Sequence, residues 1–84
     1  MFEVKLSPQA QSYYRRAPED LARRLSEAFK ALEQSPTPPG FKRLKGQFVG
    51  LLRLRVGDYR IIYKVLHEQK LIKVAYIGPR GDAY

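Results

Sequence analysis

The 84-residue sequence has no cysteine and no tryptophan, a single histidine and a single methionine, and half as many acidic as basic side chains. Without cysteine there is neither a disulfide framework nor a thiolate metal site, and a reducing compartment such as the cytoplasm is the expected setting. One histidine, His67, cannot build an imidazole cluster, so no metal or other cofactor is expected. No apolar run approaches the roughly 18 residues of a membrane span, and the opening Met-Phe-Glu-Val-Lys-Leu alternates too regularly for a secretory leader. Phosphate-binding glycine loops, nucleophile elbows and helix-turn-helix patterns are missing as well.

What remains reads as one small domain spanning residues 1–84, with 44% hydrophobic and 29% charged residues, too apolar for disorder. Sixteen Lys and Arg against eight Asp and Glu leave a net charge of +8. Such an excess speaks about partners: nucleic acid, an anionic membrane surface or an acidic protein. The membrane is the poorest of these, because both candidate helices need their apolar faces for the core.

The organising stretch is Leu51 to Tyr63, two apolar-rich runs around Gly57-Asp58. Gly at the first central position supplies the positive φ of a tight primed turn, which predicts a β-hairpin. With Val56 closing the turn against Tyr59, Arg55 faces Arg60, Leu54 faces Ile61, Arg53 faces Ile62 and Leu52 faces Tyr63. Side chains alternate between strand faces, so Leu52, Leu54, Val56, Tyr59, Ile61, Tyr63 and Val65 form a core face. Arg53, Arg55, Arg60 and Lys64 occupy the other. Like charges directly opposite each other destabilise a strand pair, and guanidinium is suited to bidentate phosphate contact. The face reads either as a solvated surface or as an anion site.

Around this hairpin, Phe2 to Leu6 alternates as a strand. Ser7-Pro8 forms a helix start, and Ala10, Tyr13, Tyr14 and Ala17 share one face of a short helix that Pro18 ends. A second helix follows, with Leu21, Ala22, Leu25, Ala28, Phe29 and Leu32 as its buried stripe and Glu19–Arg23 and Asp20–Arg24 as outward i,i+4 pairs. Ser35 to Gly40 is too proline-rich for helix or strand and reads as a stiff connection. Phe41 to Gly46 reads as a basic loop in which Phe41 and Leu44 anchor and Lys42, Arg43 and Lys45 project, either as solvated surface or toward a polyanion. The last strand, Leu71 to Ile77, is expected to turn Ile72, Val74 and Tyr76 to the helices and Lys73 to the basic face. His67 falls at a turn and reads as exposed and structural.

Three segments carry a family resemblance: Leu44-Lys45-Gly46, the run from Leu54-Arg55-Val56-Gly57-Asp58 through Tyr59-Arg60-Ile61-Ile62-Tyr63, and Ile77-Gly78-Pro79-Arg80-Gly81-Asp82-Ala83-Tyr84. The order of elements with these motifs resembles the RelE/ParE superfamily of toxins from type II toxin-antitoxin modules, over the whole chain, and the ending points to the RelE side. The resemblance implies an α+β, RelE-like fold similar to microbial ribonucleases: a small twisted, mainly antiparallel sheet in the order βααβββ, with a two-helix hairpin on one face. It implies an endoribonuclease that cleaves mRNA in the ribosomal A site without metal, held silent by a cognate antitoxin. Arg60, Arg80 and Tyr84 match family site positions, and Arg53 stands where relatives often have a catalytic lysine. Leu51 and Pro79 replace a second lysine and a histidine found in some relatives. Lys42, Arg43, Lys45, Arg55, Lys64 and Lys73 are then candidates for RNA contact. The alternatives are a ParE-type inhibitor of DNA gyrase and a simple RNA-binding module.

Overall fold

Ser7 ends the first strand and starts the first helix in one residue: its backbone is extended, its side chain accepts from the Ala10 N–H, and Pro8 follows where no intrahelical donor is needed. The computed structural model describes residues 1–79. Strand β1 (Glu3–Leu6) leads into helices α1 (Pro8–Arg16) and α2 (Glu19–Gln34), then β2 (Phe41–Arg43), β3 (Leu52–Val56), β4 (Tyr59–Leu66) and β5 (Leu71–Pro79). The fold is α+β, and the five strands form one sheet in the order β1-β5-β4-β3-β2. Among the described strands only the β1–β5 pair is parallel.

The β3–β4 register is the one the Gly-Asp turn dictates, from Val56 opposite Tyr59 to Leu52 opposite Tyr63. Gly57 has φ +60° while Asp58 has negative φ, the pattern of a type II′ turn. The Arg24 side chain of α2 lies against this glycine, where a Cβ would fall 2.7 Å from its guanidinium. Both helices cover one sheet face. Leu21, Leu25 and Leu32 of α2 and Ala10 of α1 are buried against Leu52, Leu54, Ile61, Tyr63, Ile72, Val74 and Ile77. Each fully buried aliphatic side chain contributes about 1.5–3 kcal/mol. The helical tyrosines serve packing: Tyr13 meets Tyr59 edge-on, and Tyr14 meets Phe29 while its hydroxyl bonds Ser26 Oγ.

The structure differs from the sequence reading in four places. Phe41-Lys42-Arg43 is an edge strand rather than a loop, so the sheet has one strand more than the βααβββ order; Phe41 pairs with Leu54 and Arg43 with Leu52. Arg23 pairs with Asp20 one turn back instead of Glu19, and Arg24 reaches the same carboxylate at 4.0 Å. Arg43, as the partner of Leu52, points to the helix side instead of projecting with Lys42. The fourth is a register shift between β4 and β5: Tyr63 opposes Val74, but Ile62 opposes Tyr76, leaving Ala75 as the extra residue of a bulge. Beyond the bulge the alternation of β5 is inverted. Ile77 enters the core, and Tyr76 turns to the face opposite the helices.

Candidate functional site

Residues directly opposite on paired strands point to the same side, so the registers place the cations without further assumption. Arg55 opposes Arg60, and Lys42 opposes Arg53. Lys73 lies between Lys64 on β4 and Lys5 on β1, a row of three lysines across adjacent strands. The alternation of Phe2 to Leu6 draws attention to its apolar side, which is why Lys5 is absent from the candidates read in the sequence. The cationic face thus reaches across all five strands. A hollow of about 360 Å³, lined by Lys5, Leu6, Ser7, Lys73, Val74 and Ala75, lies at its β1 side.

Two of the arginines are drawn into the sheet surface. Arg60 is buried, with 5% of its surface accessible. Arg53 is half-buried, and its Nε has no hydrogen-bond partner among the described residues. Arg55 is exposed, and its Nε–H donates to the Gly57 carbonyl at 3.2 Å, which holds it beside the hairpin turn. Guanidinium groups gathered on one sheet face can hold an anion, because the repulsion between them falls when one binds.

Arg43 does not join this face. As the partner of Leu52 it points to the helix side, where it stacks over the Phe41 ring at 5.5 Å and approaches Tyr63. It lines a separate hollow of about 350 Å³ with Leu44, Val49, Leu52, Val65 and His67. Lys45 is exposed just beyond β2. His67 is exposed at the β4–β5 turn, edge-on to Phe2. Arg80 and Tyr84 lie outside the described residues. Among the described residues, no three of His, Asp and Glu come together in a way that could hold a metal ion. No helix among them is long and apolar enough to cross a membrane.

The middle of the cationic face is apolar. Ile62 is fully buried although it lies outside the helix-side core, and Tyr76 sits beside it over Gly78, the residue opposite Arg60. Tyr76 is missed by the sequence reading, since nothing in Leu71 to Ile77 announces a bulge.

The family model for the ParE toxin of the type II toxin-antitoxin system parDE matches residues 4–84. The toxin chain in the archaeal RelE–RelB complex from Pyrococcus horikoshii is 35% identical, with 98% of each chain covered and a TM-score of 0.83. The chain belongs to the RelE/ParE superfamily of type II toxin-antitoxin toxins. Two more distant members of the superfamily share its fold. The RelBE2 toxin-antitoxin complex from Mycobacterium tuberculosis matches at 22% identity, covering 94% of this chain and 98% of that one, with a TM-score of 0.81. Isolated Escherichia coli RelE matches at 18% identity, covering 100% and 92%, with a TM-score of 0.79. Among curated proteins, no sequence matches significantly.

Proposed function

We propose that this toxin is a cytoplasmic endoribonuclease that cuts mRNA in the ribosomal A site, without metal, and is neutralised by a cognate antitoxin. The observation that carries the reading is the meeting of Arg53, Arg55 and Arg60 on one sheet face, with Arg60 drawn into the surface. In the proposed reaction the 2′-oxygen of the RNA attacks the adjacent phosphorus and the P–O5′ bond breaks. The 2′-hydroxyl proton leaves to a base, and the 5′-oxygen takes up a proton. Arg60 and Arg80 hold the scissile phosphate, and Arg53 stabilises the charge that builds on its oxygens. Fixed cations that face a developing charge often supply the greater part of the rate enhancement in such reactions. Arginine is a poor base because its pKa exceeds about 12, so proton transfer falls to Tyr84 or to groups positioned by the ribosome. Lys42, Lys64 and Lys73 steer and hold the flanking RNA. The antitoxin partner is carried over from the Pyrococcus and Mycobacterium relatives, which were solved as toxin-antitoxin complexes.

The family-model match keeps a second reading in view, a ParE-type inhibitor of DNA gyrase. Single-turnover cleavage on programmed ribosomes, run beside a gyrase supercoiling assay, separates the two. The nuclease reading expects cleavage that chelators leave unchanged, and a drop of about 10²- to 10³-fold for Arg60→Gln and for Arg53→Ala, the usual scale for one lost transition-state contact. Inhibited supercoiling with intact mRNA transfers the protein to the gyrase reading.

A further inference from the structure

We propose that Tyr76 is a positioning residue on which a nucleobase of the bound RNA stacks, at the centre of an apolar strip set into the cationic face. The inference rests on the nuclease reading in taking RNA as the ligand. Its starting point is the bulge at Ala75, which turns Tyr76 away from the core that regular alternation would give it. Bulges are over-represented next to active sites because they re-aim a side chain in this way.

Two neighbours define what the ring does there. Gly78 is buried, and a Cβ built on it would fall 2.6 Å from Cζ and 2.8 Å from Cε2 of Tyr76, with the hydroxyl also in contact. The ring therefore lies along β5 with its hydroxyl end over the glycine instead of standing off the sheet, and it is half-buried there. Ile62, directly opposite Tyr76, continues the apolar surface onto β4. Cations surround this strip. Arg60 opposes Gly78, Arg53 opposes Ile62 on its other side, and Lys73 faces Lys64 on the far side of the bulge. Neighbouring strands are about 4.8 Å apart, so a base stacked on Tyr76 has cations within one nucleotide's reach to hold its flanking phosphates. Aromatic surface beside a cationic track is the arrangement by which single strands are gripped with little dependence on sequence.

A purely structural role is the competing explanation, since an aromatic ring over a strand glycine also shields backbone. The two separate on a non-cleavable probe presented on programmed ribosomes, an mRNA whose A-site codon is 2′-O-methylated and carries 2-aminopurine, whose fluorescence is quenched by stacking. Wild type and Tyr76→Phe are expected to bind and quench alike. Tyr76→Leu keeps an apolar cover over Gly78 but has no π face, and it is expected to lose about 10- to 100-fold in affinity together with the quenching. Tyr76→Ala should behave the same, and thermal unfolding of the Phe and Leu variants reports whether the fold is intact. Unchanged binding and quenching in Tyr76→Leu overturns the assignment. Equal losses in Tyr76→Phe place the effect on the hydroxyl and overturn stacking. Absence of binding by the wild type itself removes the RNA reading and this inference together, whereas binding that ignores residue 76 removes only this inference.

Discussion

Tyr63 carries a polar atom into the core and gives it one partner: its hydroxyl donates to the Pro36 carbonyl at 2.7 Å, tying the proline-rich connection after α2 to the middle of β4. Burial pushes the phenol up from 10.0 to about 12, although the nearby Arg43 acts to lower it. A raised acid pKa contributes stability that is fully present below the unfolded value, near pH 10, and is lost as pH rises from there toward 12. Tyr63→Phe leaves the Pro36 carbonyl without its donor, and it is expected to lower stability by about 1–3 kcal/mol at pH 8. Denaturant unfolding of both proteins between pH 8 and 11 checks the assignment. The gap between them should narrow above pH 10, and a gap that stays constant would show that the phenol is not held neutral by the fold.

On the scale of elements, β5 outruns its neighbour. Strand β1 ends at Leu6 beside Val74, and past that point side chains take over the edge: Ser7 Oγ donates to the Ala75 carbonyl, while the Gln9 amide donates to the Ile77 carbonyl and accepts its N–H. Gln9→Met removes both Ile77 bonds and should cost about 1 kcal/mol. Amide exchange should then quicken at Ile77 far more than at Ile72, whose place inside the β1 pairing is unaffected; equal acceleration at both sites would mean that Gln9 supports the fold only globally. How much of an element can be read in sequence depends on what sets its register. The β3–β4 pairing is legible because a Gly-Asp turn fixes every opposite pair, and with it the sides taken by Arg53, Arg55, Arg60 and Lys64. Tyr76 is not, because the bulge at Ala75 reverses parity and no residue type there demands one. Strand β2 is hidden by its three-residue length, and the orientation of Arg43 is hidden with it.

For the molecule as a whole, the decisive feature is that β5 lies between β1 and β4. Among the described residues, β1 pairs with β5 alone, so Glu3 meets Leu71 and Leu6 meets Val74 across some seventy residues of sequence. Contacts so remote must overcome loop-closure entropy before they add stability, whereas the Gly57-Asp58 hairpin is local. Pulse-labelled amide exchange during refolding should accordingly show β3 and β4 protected first. The Glu3 and Ser7 amides, bonded to the Lys70 and Val74 carbonyls, should follow together with β5; their protection ahead of the hairpin would contradict this order. The lysine row Lys5–Lys73–Lys64 and the apolar strip of Ile62 and Tyr76 then arise in the same final step. On a growing polypeptide the arginines of the hairpin precede β5, and the surface they share with Lys73 and Tyr76 does not exist until Leu71 to Pro79 has been translated and slipped into place. On the proposed nuclease reading, a chain whose β5 has not yet docked lacks the surface through which it would hold RNA.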